Sequence, residues 1–217
     1  MKIFLDTANI DEIRRFHNMG LLDGITTNPS LLFREGQNPD YIMEEIASMV
    51  SGDVSLEVVA TKYEEMVREG TELHDKGNNV VVKVPMTPDG LRACRTLSSN
   101  NIPVNVTLIF SANQAVLAAK SGAKYVSPFI GRLDDIGHDG MDLIRTILEI
   151  FGNYDFDTQV LVASIRHPLH VVEAARLGAH VVTLPPQVLD KMLKHPLTDI
   201  GLKSFLSDWR LLQKSQK

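Results

Sequence analysis

Along the chain, short runs rich in β-branched and apolar residues alternate with segments whose apolar positions recur at the helical period. The runs are KIFLD (2–6), GITT (24–27), VSLEVV (54–59), NVVVKV (79–84), VNVTL (104–108), KYVSPF (124–129), QVLVAS (159–164) and HVVTLP (180–185). Several are continuous apolar stretches rather than strict alternations, the pattern of parallel strands covered on both faces. The segments between them carry stripes such as Tyr63, Met66, Val67 and Leu73, or Ile144, Ile147, Leu148 and Phe151. This βα repetition with short connections predicts an α/β fold, a closed (β/α)8 TIM barrel forming a single domain over 1–217. An open doubly wound sheet is the alternative, because counting strands does not establish closure.

The ends of the helical segments are legible too. Asn9 with Glu12, Thr61 with Glu64, and Ser111 with Gln114 have capping-box spacing, and Gly20, Gly77, Gly122, Gly152 and Gly178 stand where helices would end. Pro88 and Pro168 suit a first helical turn, and REGQNPD (34–40) reads as a polar loop. Past the eighth run, Leu202, Phe205, Trp209 and Leu212, with Leu206 beside them, predict an additional C-terminal helix over about 199–215. Its apolar face needs cover, from its own barrel or from a neighbouring subunit, and periodicity does not choose between them.

Composition narrows the partners. The 217 residues hold 22 Lys plus Arg against 27 Asp plus Glu, a net charge of −5, so the chain lacks the basic balance of a nucleic-acid binder. An anionic ligand would have to be held locally. The one cysteine, Cys94, has no internal disulfide partner and sits among apolar helical residues, which suits packing better than nucleophilic work. MKIFLDTANIDE has too short an apolar stretch for a signal peptide, and no run approaches the roughly 18 apolar residues of a membrane span. A soluble, cytoplasmic protein without membrane contact is expected.

In a βα barrel the reacting groups stand at the C-terminal ends of the strands. Asp6, Asn28, Glu57, Lys83, Asn105, Thr107, Ser127 and Ser164 fall at or near such ends. Lys83, inside an apolar run, is either a side chain snorkelling to the rim or an imine-forming nucleophile. Burial favours the neutral amine that attacks carbonyls, while nearby Asp6 and Glu57 would favour the ammonium, so the sequence leaves that balance open. Asp6 could cap the following helix or move a substrate hydroxyl proton. Glu57, between apolar neighbours, would be costly unpaired and suits acid–base work through water. Arg132, Ser164 and Arg166 follow the sixth and seventh runs, where barrels often bind phosphate, although each arginine alone could be an ordinary surface residue, Arg132 pairing with Asp134 or Asp135. His167, His170 and Glu173 share a helical face as a rival metal site, but the spacing is not H-E-x-x-H and no metal is expected. No P-loop, Rossmann glycine fingerprint or G-x-S-x-G elbow is present.

In order along the chain, FLDTAN (4–9), GITTNPSLL (24–32), SLEV (55–58), VKVP (82–85), VNVTLIFS (104–111), SPFIGR (127–132) and ASIRHP (163–168) resemble the transaldolase family, and the lack of long insertions resembles its small subfamily, which includes fructose-6-phosphate aldolases. The resemblance implies cofactor-free, metal-independent transfer of a dihydroxyacetone unit between sugar phosphates, from sedoheptulose 7-phosphate to glyceraldehyde 3-phosphate, in the non-oxidative pentose phosphate pathway. On that resemblance Lys83 forms the Schiff base, Asp6 moves the C4 hydroxyl proton, and Glu57 with Thr107 handles water. Asn28 and Asn105 hold the three-carbon unit, Thr26, Ser127 and Phe129 line the pocket, and Arg132, Ser164 and Arg166 grip phosphate. Positions matching Glu57 and Phe129 are glutamine and tyrosine in the aldolases. Phe129 has no hydroxyl to protonate an enamine, which favours transfer over release of free dihydroxyacetone. That aldolase activity and a non-catalytic sugar-phosphate binding protein are the competing readings. The resemblance also implies a homo-oligomer, a pentamer or decamer in which the C-terminal helix lies across a neighbour.

Overall fold

Each apolar run becomes a strand, and parallel pairing joins the strands in chain order into a ring. A computed structural model describes residues 1–215, so residues 216 and 217 of the expected domain lie outside the described residues. The strands are β1 (Lys2–Asp6), β2 (Gly24–Thr26), β3 (Asp53–Glu57), β4 (Val80–Pro85), β5 (Val104–Ile109), β6 (Tyr125–Pro128), β7 (Gln159–Val162) and β8 (Val181–Leu184). Pairing of β8 with β1 closes the barrel and removes the open-sheet alternative. The helices are α1 (Ile10–Asn18), α2 (Pro29–Glu35), α3 (Pro39–Met49), α4 (Tyr63–His74), α5 (Pro88–Ser99), α6 (Ala112–Lys120), α7 (Ile130–Asp134), α8 (Gly140–Asn153), α9 (Pro168–Leu177), α10 (Pro186–Met192) and α11 (Pro196–Ser215).

Strand alternation divides the apolar side chains into two cores. Val80, Val82 and Val84 of β4 point outwards with Val104 and Val106 of β5 and pack under the helices, where nothing reaches solvent. Burying each such side chain stabilises the fold by about 1.5–3 kcal/mol. Inside the ring, Phe4, Val81, Tyr125, Leu161 and Val181 fill the lower barrel. Gly24 makes room there, since a Cβ on it would lie 2.6 Å from the Phe4 ring. The Tyr125 hydroxyl donates to Asp53 Oδ2 at 2.7 Å, and Lys124 Nζ reaches the same oxygen at 2.5 Å. Side chains thus plug the N-terminal end, and polar groups remain for the other.

Local chemistry explains most helix ends. Asn9 Oδ1 accepts the Glu12 N–H, and Ser111 and Gln114 form the reciprocal box, each accepting a backbone N–H. Gly20, Gly122 and Gly178 take positive φ just past their helices. Two expectations fail. Thr61 does not cap α4: Lys62 occupies the cap without a side-chain bond, and the Glu69 carboxylate reaches back to the Val59 and Ala60 N–H groups at 2.9 Å. Gly152 lies inside α8 instead of ending it, because α8 runs on to Asn153 with Phe151 buried against Phe156. That burial outweighs the roughly 1 kcal/mol a helical glycine costs. The expected 34–40 loop shrinks to residues 36–38, between α2, capped by Asn28 with Pro29 in its first turn, and α3, capped by Asn38.

The tail helix starts a little earlier than expected, at Pro196, and none of its residues is buried. Phe205 and Trp209 are 72% and 59% exposed, so its own barrel does not cover the apolar face. Among the described residues, no helix is long and apolar enough to cross a membrane.

Candidate active site

Strand register assembles the site. Glu57 of β3 lies opposite Lys83 of β4, Lys83 lies opposite Asn105 of β5, and Asp6 of β1 lies opposite Thr26 of β2. Register partners in a parallel sheet share a face, so all of these side chains turn into the barrel. Lys83 is 5% exposed, and its Nζ donates to the Glu57 carboxylate and to the Thr27 carbonyl, both at 3.0 Å. The amine is therefore held in place on two sides and is no snorkelling rim residue.

Asp6 faces the same space. Thr26 Oγ1 donates to Asp6 Oδ1 at 2.8 Å and lies 2.6 Å from Thr183 Oγ1, a hydroxyl chain from β8 to β1. Desolvation raises the Asp6 pKa above the usual carboxyl range, partly offset by the Lys83 charge and the Thr26 hydrogen bond. Thr107 Oγ1 is buried and, among the described residues, has no protein partner, which leaves it for a molecule in the cavity. An irregularity in β5 between Val106 and Ile109 aims it, with Leu108 at φ 60°. Ser164 also has positive φ, 62°. Strained backbone of this kind gathers at functional sites.

These groups surround a cavity of about 590 Å³. Its upper wall holds Phe129, Arg132, Ser164 and Arg166. The Arg132 guanidinium lies 5.0 Å from the Phe129 ring centroid, a cation–π contact, and among the described residues it has no ion pair with Asp134 or Asp135. Asp135 pairs instead with Arg166 at 2.7 Å. α7 and the turn after β7 touch so closely that a Cβ on Gly131 would lie 2.2 Å from the Ser164 carbonyl oxygen and 2.5 Å from Arg166 Nε. A buried amine beside a carboxylate, a second carboxyl across the space and two guanidinium groups above suit covalent carbonyl chemistry on an anionic substrate.

The sequence profile of the Transaldolase/Fructose-6-phosphate aldolase family matches residues 3–216. The chain belongs to that family. It is 70% identical to a "Probable transaldolase" of Nitrosopumilus maritimus over 96% of this chain and 95% of that protein. It is 57% identical to one of Thermodesulfovibrio yellowstonii, over 99% and 100% of the two chains, and 56% identical to one of Aquifex aeolicus, over 96% of each.

Of the residues carried over from the family pattern, Lys83, Asp6, Glu57, Thr107, Thr26, Asn28, Ser127, Phe129, Arg132, Ser164 and Arg166 all line the one cavity. Asn105 does not. It is fully buried one layer behind, donating to Ser55 Oγ at 3.2 Å and accepting from Ser127 Oγ at 2.7 Å. Asn28 lines the cavity while its side chain also accepts the Leu31 N–H. Thr183 and Arg34 line the cavity without having been singled out in the sequence. Thr183 was findable from its place at the end of the eighth run, whereas Arg34 depended on α2 being recognised as a helix. His167 and His170 stack at 3.8 Å between ring centroids, and among the described residues no group of three or more His, Cys, Asp or Glu is arranged to hold a metal.

Proposed function

We propose that this chain is a transaldolase working through an imine on Lys83. The observation that carries this is the Lys83 amine held against Glu57 inside the cavity, facing Asp6. After its proton passes towards Glu57, the amine adds to the ketose carbonyl of sedoheptulose 7-phosphate or fructose 6-phosphate, and loss of water gives the protonated imine. Glu57 and Thr107 take that water as it leaves and return it when the imine is hydrolysed. Asp6 takes the C4 hydroxyl proton as the C3–C4 bond breaks, and the electron pair moves into the imine to give an enamine. The aldehyde leaves, an acceptor aldose phosphate enters, and the same steps run backwards, with Asp6 returning the proton. Glyceraldehyde 3-phosphate or erythrose 4-phosphate is the acceptor. Asn28 and Ser127 hold the three-carbon unit with Asn105 orienting Ser127, and Arg132, Ser164 and Arg166 hold phosphate. Phe129 offers the enamine no proton, which supports transfer over release of dihydroxyacetone.

Two further readings go with this one. Phosphorylated sugars do not cross membranes unaided, which supports a cytoplasmic location. The uncovered face of α11 supports a homo-oligomer, pentameric or decameric, in which the helix lies on a neighbour.

Borohydride trapping with fructose 6-phosphate, followed by peptide mapping, tests the mechanism. A reduced three-carbon adduct on Lys83 is expected. An active preparation with no adduct, or with the adduct on another lysine, would sink the reading. Release of free dihydroxyacetone without an acceptor aldehyde, at the rate of transfer, would make the protein an aldolase instead.

A further inference from the structure

Beside the Ile130 N–H bond to the Ala163 carbonyl at 3.1 Å and the close packing of Gly131, side chains tie the turn that carries Ser164 and Arg166 to α7 at two points. At the surface, Arg166 pairs with Asp135 at 2.7 Å, and both side chains are more than half exposed. Such pairs contribute little and exchange readily with solvent or another anion. The second point is internal. His170, only 7% exposed, lies on the first turn of α9, whose cap residue His167 makes no side-chain cap bond. Its Nδ1 lies 3.3 Å from the Arg166 backbone nitrogen, and its Nε2 lies 3.2 Å from Asp134 Oδ2. Asp134 is itself fixed, since its Oδ1 accepts the Gly140 N–H at 2.9 Å.

A backbone N–H only donates, so Nδ1 has to be an acceptor and the ring proton sits on Nε2, pointing at Asp134. We propose that His170 is the positioning residue of the anion site, a neutral imidazole that ties the backbone of Arg166 to α7 and so sets where Ser164 and Arg166 meet a sugar phosphate. The proposal rests on the reading of Arg132, Ser164 and Arg166 as the phosphate grip. A proton on Nδ1 would set two N–H donors against each other and loosen the turn. The charged groups acting on the ring are His167 and Glu173 on its own segment, Asp134 on α7 and Arg166 on the turn. α8 and α10 also pack on α9 and, among the described residues, bring none. Burial, followed by His167, lowers the His170 pKa, in keeping with a neutral ring.

Two substitutions separate the two nitrogens. The Oδ1 of His170→Asn falls near Nδ1 and keeps an acceptor for the Arg166 N–H, whereas His170→Gln reaches only the Nε2 end. Glucitol 6-phosphate, which has no carbonyl and forms no imine, serves as probe in calorimetry, with glucitol as control. His170→Asn should bind within about twofold of wild type and His170→Gln about fivefold more weakly. Equal losses in both, no loss in either, or no binding by wild type would overturn the proposal. Between about pH 7.5 and about pH 5, wild-type affinity should fall more steeply than that of His170→Asn, because His170 takes its proton below the ordinary imidazole range, while the phosphate, with its second pKa near 6, titrates in both. Parallel profiles would also overturn it, and this comparison does not require the glutamine variant to fold. Binding as expected without an adduct on Lys83 would remove the transaldolase reading and keep this one. An adduct with parallel pH profiles would do the reverse.

Discussion

At Asp6 burial works against the charge. Its pKa in the fold lies above the ordinary carboxyl value, so the native state binds the proton more tightly than the unfolded chain does. That contribution is fully present below the unfolded pKa and is lost as pH rises through the folded one. Ionised Asp6 is thus a net cost at neutral pH, and Asp6→Asn should melt higher than wild type at about pH 8, with the gain vanishing near about pH 3. The same variant should lose roughly 10²–10⁴-fold in transfer rate, the usual size of a general acid–base contribution. Thermal melts at the two pH values and initial rates check both. Phe129→Tyr should supply the missing hydroxyl and raise acceptor-independent release of dihydroxyacetone, read by a chemical assay of the free ketose; no rise would mean that a hydroxyl at this position does not protonate the enamine. Cys94, buried and with its thiol pushed up to about 12, should ignore thiol reagents until the protein unfolds.

Between elements, the decisive contact is that of α7 with the turn after β7. Gly131→Ala would drive a methyl into the Ser164 carbonyl and the Arg166 side chain, so KM for phosphorylated acceptors should rise about tenfold while unphosphorylated ones change little. Steady-state kinetics on the two acceptor classes separates these outcomes. At this scale the sequence was legible wherever one signal sufficed: a valine-rich run for β4, an Asn9 cap for α1, a serine with glutamine for α6. It misled where a distant group intervened. Glu69 reaches back to the Val59 and Ala60 N–H groups and leaves Lys62, not Thr61, at the start of α4, and Phe151 draws α8 past its glycine. The site residues were legible as ends of strands, but their depth was not. Asn105 and Ser127 look alike in the sequence, and only the register of β5 with β6, in which Asn105 lies opposite Tyr125, sets Ser127 two residues nearer the cavity.

At the scale of the whole molecule, α11 is the unfinished element. Truncation after His195 should leave the melting temperature of the barrel nearly unchanged, since no residue of α11 is buried, but lower the mass in solution measured by light scattering. An unchanged mass would remove α11 from assembly. The barrel was predictable as a ring of βα units, while what its tail covers depends on surfaces beyond one chain. The plugged lower end has a kinetic meaning of its own. With Phe4, Tyr125 and Val81 filling the bottom among the described residues, the departing aldose and the arriving one share the cavity mouth at the C-terminal ends of the strands and must use it in turn. Traffic of that kind allows no complex holding both, so double-reciprocal plots should be parallel, and excess acceptor should inhibit by occupying the mouth before the donor enters.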